Sequence, residues 1–234
     1  MTISHYTLSQ QHVHIWMIDL TFSRDTSGDV LSREEMVRAE RFIDLQSKRH
    51  YMTCRSALRN VLSYYMDLAP ECILFTYNAN GKPYIAPSQN THQLQFNVSH
   101  HEEACCIAIT ASQEIGVDIE SMSGPSLEDA MEMFISQSEK EALPIVTGER
   151  STSLIHLWTQ KEALLKARGT GLQSDPKQIH GYVTHSFPLI NRPLEGYKLN
   201  SFTMGTSILS LCTEHDIHYD IKPYESLEKQ KNVK

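Results

Sequence analysis

Residues 13–20 (VHIWMIDL) place apolar side chains at alternate positions often enough to predict a first strand. Ser32 followed by Glu35 is a capping box, so a helix should start there. It should break near Asp44–Ser47 and run to about Met66, with Pro70 beyond its end. Residues 72–77 read as a strand and 82–85 as a return to extended chain. Asn78-Ala79-Asn80-Gly81 turns between them, because Asn and Gly tolerate positive φ. The centre of the chain is β-rich. Residues 94–98 (LQFNV), 104–110 (ACCIAIT) and 115–120 (IGVDIE) predict strands, with Ser112-Gln113-Glu114 as a turn. After a loop at 121–126, Ser126 should cap a helix over 127–134, and residues 138–143 suit a second short helix. Residues 152–168 give the clearest helix, ended by Gly169 in the left-handed cap position. Short strands follow, best defined at 207–214, and the tail Glu225–Lys234 is charged. No sequence repeat is visible. Two halves of similar size remain open, with a seam near 110–115 that divides the chain into 1–112 and 113–234.

Composition narrows the class. The 234 residues are 40% apolar and 21% charged, as in ordinary globular chains. No run approaches the roughly 18 apolar residues of a membrane span, so no membrane partner is expected. The start, Met1–Gln10, is polar and lacks the basic and apolar parts of a signal peptide, which makes the cytoplasm the expected compartment. Five cysteines without a CxxC pattern argue against a disulfide framework or zinc ribbon and for reduced, mostly buried thiols. A net charge of −7 argues against nucleic acid as a partner. It does not forbid a local cationic pocket for a small phosphorylated ligand, and the charge is uneven: residues 33–59 hold Arg33, Arg38, Arg41, Lys48, Arg49, Arg55 and Arg59.

Three segments carry candidate chemistry. In Gly116-Val117-Asp118-Ile119-Glu120, strand alternation points both acids one way and both apolar residues the other. Two carboxylates on one face repel unless something neutralises them, and a hard divalent cation such as Mg²⁺ does so. The alternative is an exposed acidic edge. In Trp158-Thr159-Gln160-Lys161-Glu162-Ala163-Leu164-Leu165-Lys166, helical spacing lines up Trp158, Glu162 and Lys166. Glu162 could complete a metal site and Lys166 could hold phosphate; the alternative is a Glu–Lys surface pair. In Phe96-Asn97-Val98-Ser99-His100-His101, Ser99 and a protonated His100 could donate to phosphate. The alternative is polar residues at a strand end facing water. A Ser–His hydrolase pair is a poor reading, because sequence neighbours rarely adopt nucleophile–base geometry.

Taken together and in this order, FNVSHH, GVDIE and WTQKEALLKARGTGL resemble the Sfp-type 4′-phosphopantetheinyl transferases. Asn80-Gly81-Lys82-Pro83 is similar to the family's GKP element, and Met133-Phe134-Ile135-Ser136-Gln137-Ser138-Glu139 to its F-F-S-x-x-E element. The landmarks cover residues 35–172. The resemblance implies an α+β fold of two similar subdomains about a pseudo-twofold axis, with the active site in the cleft between them. It implies Asp118, Glu120 and Glu162 as Mg²⁺ ligands and Lys166 as a phosphate contact. It also implies Lys82, Pro83, Ser99 and His100 as contacts to coenzyme A. Arg38, with Arg49 as a second candidate, is implied for the 3′-phosphate, and His101 is left structural.

The implied reaction moves phosphopantetheine from coenzyme A to a serine of an apo acyl or peptidyl carrier protein and releases 3′,5′-ADP. Glu162 is the favoured base, with Glu120 the alternative and Lys166 the charge stabiliser. The segment Met122–Phe134 follows the metal strand and carries Met122, Leu127, Met131, Met133 and Phe134, so it is the expected docking surface, with core packing the competing explanation. A monomer is expected. Two rival functions use the same groups: a metal-dependent phosphodiesterase or pyrophosphatase, and a binding module without catalysis.

Overall fold

The computed structural model describes residues 8–9, 11–21 and 28–227. Most of the polar start and most of the charged tail therefore lie outside the described residues. Two four-stranded sheets and two 22-residue helices dominate. Strand β1 (His12–Asp19) is followed by helices α1 (Arg33–Ala39) and α2 (Leu45–Met66). A short hairpin, β2 (Phe75–Tyr77) and β3 (Pro83–Ile85), then leads to β4 (Leu94–His100) and β5 (Ala104–Ala111). The second half repeats the plan with β6 (Ile115–Ser121), α3 (Gln137–Ala142) and α4 (Thr147–Arg168). Strands β7 (Leu189–Leu194), β8 (Tyr197–Met204) and β9 (Ser207–Thr213) complete it. In each half the first strand pairs antiparallel with the last, β1 with β5 and β6 with β9. The fold is α+β with two similar halves, although the sequence shows no repeat.

The halves are knitted together by the end of the chain. Strand β10 (His218–Pro223) crosses back and pairs parallel with β1, giving the order β10-β1-β5-β4. The second sheet runs β6-β9-β8-β7.

Strand alternation sorts the core into layers. Ile107 and Ile109 of β5 face α2 with Trp16, Leu58, Leu62 and Phe96. Cys106 and Ala108 face the other way and meet Val117, Ile119, Leu209 and Leu211 between the sheets. Ala163, Leu164 and Ala167 of α4 cover the far side of the second sheet against Leu199 and Cys212. The order is therefore helix, sheet, sheet, helix.

Local signals account for most element ends. Ser32 and Glu35 form the reciprocal capping box, and Asp44 caps α2 by accepting from Ser47 N at 2.7 Å. Gly169 ends α4 at φ +66°, a conformation that strains any side-chain-bearing residue. The cysteines are free, with Cys72 exposed and the other four buried. Among the described residues no helix is long and apolar enough to cross a membrane.

Two expectations need correction. Residues 72–77 form a strand only from Phe75, because Pro70–Cys72 make a 3₁₀ turn. No α-helix spans 127–134; a single 3₁₀ turn occupies Met131–Met133, and Ser126 accepts from Glu128 N in a local turn. Leu127, Met131 and Phe134 do pack on one side, as helical spacing predicts. Tertiary bonds take over from helical ones there: Arg150 holds Glu128 at 3.1 Å and Lys161 holds the Phe134 carbonyl at 2.7 Å.

Candidate active site

Strand β6 is the edge of its sheet, yet its acids are not an exposed fringe. Val117 and Ile119 enter the core between the sheets, which turns Asp118 and Glu120 toward α4. Asp118 is only 3% exposed. Gly116 makes this possible: a Cβ there would lie 2.0 Å from the Ala163 carbonyl oxygen and 2.2 Å from Ala167 N. Strand and helix therefore touch backbone to backbone at Ala163 and Ala167, the residues next to Glu162 and Lys166.

The edge of the first sheet meets the edge of the second through side chains of β4. Asn97 Oδ1 accepts from Val117 N at 3.0 Å, and Ser99 Oγ accepts from Ile119 N at 3.4 Å. Ser99 Oγ also donates to Asp118 Oδ1 at 2.7 Å. Lys166 Nζ donates to the same Asp118 oxygen at 2.6 Å and to Ser99 Oγ at 2.8 Å. Trp158 Nε1 donates to Glu120 Oε1 at 3.3 Å. Asp118, Glu120, Glu162, Lys166, Ser99 and Trp158 thus form one polar cluster, built from β4, β6 and α4.

The electrostatics follow from that crowding. Burial, then the Asp118 charge, pushes Glu120 up to about 7, with Trp158 and Lys166 opposing. Burial and then Asp118 likewise raise Glu162, against Lys166. Burial acts to lower Lys166, but the charge and hydrogen bond of Asp118 and the charge of Glu162 outweigh it and raise the ammonium above its ordinary value.

Among the described residues no three His, Cys, Asp or Glu side chains are drawn together tightly enough to cage a metal; Lys166 is bonded to Asp118 instead. Two acceptor atoms still fit a cation. Asp118 Oδ2 and Glu162 Oε1 are buried without a hydrogen-bond partner. A buried carboxylate oxygen left unpaired costs free energy that an incoming cation removes. The carboxylate donor set is that of a hard divalent ion.

The remaining sequence candidates separate. His100 stands at the end of β4, where partial desolvation, then the Lys166 charge, lowers its pKa and so works against the protonated form that the sequence suggested. His101 contacts Ser207 Oγ at 2.9 Å and accepts from Glu103 N, an anchoring role. Arg38 lines a cavity of about 780 Å³ with Arg33, Arg41, Tyr51 and Tyr77, and its guanidinium lies 5.6 Å from the Tyr51 ring. Arg49 lines a different cavity of about 700 Å³ with His50, Thr53 and Glu102.

The ammonium of Lys82, a residue expected among the coenzyme A contacts, is taken up by the protein itself. Its Nζ donates to Glu114 Oε2 at 2.6 Å, the Ala167 carbonyl at 2.8 Å and the Ile115 carbonyl at 3.3 Å. All three ammonium hydrogens have protein partners. Asn78 and Asn80 both donate to the Gly169 carbonyl, at 2.8 and 2.9 Å, so the turn before Pro83 is tied to the end of α4. Sequence reasoning missed this tether and Asn97. Asn97 was within reach, since it shares a strand face with Ser99.

Comparison with known proteins identifies the class. A sequence model of the 4′-phosphopantetheinyl transferase superfamily matches residues 114–215, and one of the N-terminal part of 4′-phosphopantetheinyl transferase matches residues 10–112. The chain belongs to this transferase family. It is 30% identical to the 4′-phosphopantetheinyl transferase Sfp of Bacillus subtilis over 83% of this chain and 77% of that relative. It is 32% identical to the 4′-phosphopantetheinyl transferase HetI of Nostoc sp. over 71% of this chain and 72% of that relative. A Synechocystis relative is 36% identical over 64% of this chain, and the match spans 61% of that relative's length.

Proposed function

We propose that this chain transfers 4′-phosphopantetheine from coenzyme A to a serine hydroxyl of an apo acyl or peptidyl carrier protein, leaving 3′,5′-ADP. The observation that carries this reading is the pair of buried, unpaired oxygens on Asp118 and Glu162 beside the Lys166 ammonium. Asp118, Glu120 and Glu162 would hold Mg²⁺. When bound there, it supplies charge neutralisation for pyrophosphate oxygens.

The chain's own groups do the rest. Lys166 offsets charge that builds on the non-bridging oxygens and on the leaving phosphate. Glu162 accepts the serine proton, with Glu120 the alternative; burial and Asp118 raise both acids and so favour proton uptake. Ser99, whose one hydroxyl hydrogen goes to Asp118, acts by holding Asp118 and Lys166 in place, and His100 orients the phosphates from the end of β4. Arg38, beside Arg33 and Arg41 in their shared cavity, takes the 3′-phosphate, with Arg49 the second candidate. Pro83 meets coenzyme A through its backbone, and Lys82 serves by holding that segment to β6 and α4.

The same reading divides the chain into subdomains at 1–112 and 113–234, with the site in the cleft between them and β10 returning as a strap. The carrier docks on the segment Met122–Phe134, where Met122 and Met133 are exposed. The protein works as a cytoplasmic monomer.

Incubation with coenzyme A, Mg²⁺ and an apo carrier protein tests the proposal. A mass gain of one phosphopantetheine on the carrier supports it. Coenzyme A cleavage with an unmodified carrier makes the chain a hydrolase, and no reaction makes it a binding module; either result overturns the proposal.

A further inference from the structure

One buried ion pair takes no part in the site just described. Lys161 is 0% exposed and Glu139 is 4% exposed. Glu139 Oε2 accepts from Lys161 Nζ at 2.7 Å and from Ser136 N at 2.7 Å, while Oε1 accepts from Gly181 N at 2.9 Å. Such pairs rarely add stability over apolar residues of the same size, so what this one specifies is the more informative question.

Its contacts answer that question. Lys161 spends a second ammonium hydrogen on the Phe134 carbonyl at 2.7 Å. The Phe134 ring, 1% exposed, stands edge-on to Trp158 at 5.1 Å and 64°. Trp158 in turn donates its indole hydrogen to Glu120. The main chain of Phe134 is thus held from one side and its ring fixes the indole on the other. Lys161 neighbours Glu162 in sequence, yet it points away from the acids toward α3.

We infer that Glu139 and Lys161 are positioning residues: by fixing Phe134 they set the indole of Trp158 and, through it, the orientation of the Glu120 carboxylate. The inference rests on the proposed function only for its kinetic consequence, since the geometry it asserts can be read without turnover. A misplacement of a site group by about 1 Å can cost a large factor in rate, so roughly a tenfold fall in kcat is expected when the pair is broken.

The test is Glu139→Gln in protein labelled with 5-fluorotryptophan. The two tryptophans, Trp16 and Trp158, give two ¹⁹F resonances, assigned with Trp158→Phe. Trp16 sits in the other half, bonded to Tyr65, and serves as an internal reference. The expected result is a shifted or broadened Trp158 resonance, an unmoved Trp16 resonance, and a lower kcat with KM for coenzyme A within about twofold. Lys161→Met should match it. If the single variants fail to fold, Glu139→Leu with Lys161→Met removes both charges and should still move Trp158, because the Phe134 carbonyl loses its donor. A Trp158 resonance that stays in place in a folded variant overturns the inference and leaves the pair a stabiliser. Absence of transferase activity in the unaltered protein would instead sink the proposed function, while the resonance still decides the positioning.

Discussion

Ser99 and Asp118 meet across the junction of two sheets, hydroxyl to carboxylate at 2.7 Å, with Lys166 bonded to both. One small side chain therefore links the strand of one half to the acid of the other. It also supplies the second acceptor for the ammonium.

Ser99→Ala removes a donor to a buried carboxylate and an acceptor for Lys166 and Ile119 N. A charge-assisted bond of this kind contributes about 1.5–3 kcal/mol, so urea unfolding should show a loss of that order. Val98→Ala, on the opposite face of the strand, should leave the rate per folded molecule near normal while Ser99→Ala lowers it. Equal rates in the two variants would separate Ser99 from the reaction.

Asp118→Ala and Glu162→Ala should each cut carrier modification at least 10²-fold, on the order of 3 kcal/mol of transition-state stabilisation. Calorimetric titration with Mg²⁺ should show weakened binding in both. Near-normal turnover at saturating Mg²⁺ in either variant would falsify the assignment of that acid.

His100→Ala separates the two ends of coenzyme A. If the imidazole lies by the 3′-phosphate, the variant should lose far more activity with coenzyme A than with its 3′-dephospho form. Equal losses would move His100 to the pyrophosphate instead, beside Lys166, whose charge it already feels.

On the carrier side, burial decides which variants are informative. Leu127 and Met131 are packed against the Phe134 and Trp158 cluster, so their loss mixes folding with docking. Met133 is 75% exposed. Met133→Gln should raise KM for the carrier several-fold, leave KM for coenzyme A unchanged and leave the melting temperature where it was. Because the chain carries −7, affinity for an acidic carrier should hold or improve with added salt, which screens the repulsion. A steep loss of affinity with salt would point to the arginines of α1 and α2 as the docking surface.

The fold should be acid-sensitive for a reason remote from the site. His156 is buried between the Thr184 carbonyl and the Ser201 hydroxyl, and burial pushes its imidazole down to about 4. Burial, then Lys222, holds His14 near 4 as well, with Asp220 opposing. The unfolded chain protonates these rings at about 6.5, whereas the native rings stay neutral to lower pH. Their contribution is therefore whole above pH 6.5 and drains away as pH falls toward 4. His156→Asn cannot titrate and can keep the bond to Thr184. Its stability should vary less between pH 6.5 and 4, by on the order of 3 kcal/mol, in urea midpoints measured across that range.

What the sequence makes legible here are features with a short period or a fixed chemical partner nearby. Alternation in Gly116–Glu120 correctly turns both acids to one side, and helical spacing correctly aligns Trp158, Glu162 and Lys166. The Ser32–Glu35 box and Gly169 mark helix ends because their partners lie within a few residues. The same reasoning fails where the partner is distant. Nothing around Lys82 reveals that its ammonium is sealed between Glu114 and Ala167. The spacing of Leu127, Met131 and Phe134 is helical, yet bonds from Arg150 and Lys161 replace the helix. The second-half strands at 189–204 read only as short extended pieces, because their register depends on neighbours already in place.

Gly116 limits which substitutions the candidate site can absorb. The gap between strand and helix is closed by main chain against main chain, so no side chain acts as an adjustable spacer between Asp118 and Glu162. A larger residue at position 116 would have to push β6 off α4, and would carry Asp118 away from Glu162 with it. In the proposed metal site the spacing of the two acids is thus a property of the main chain, fixed at Gly116.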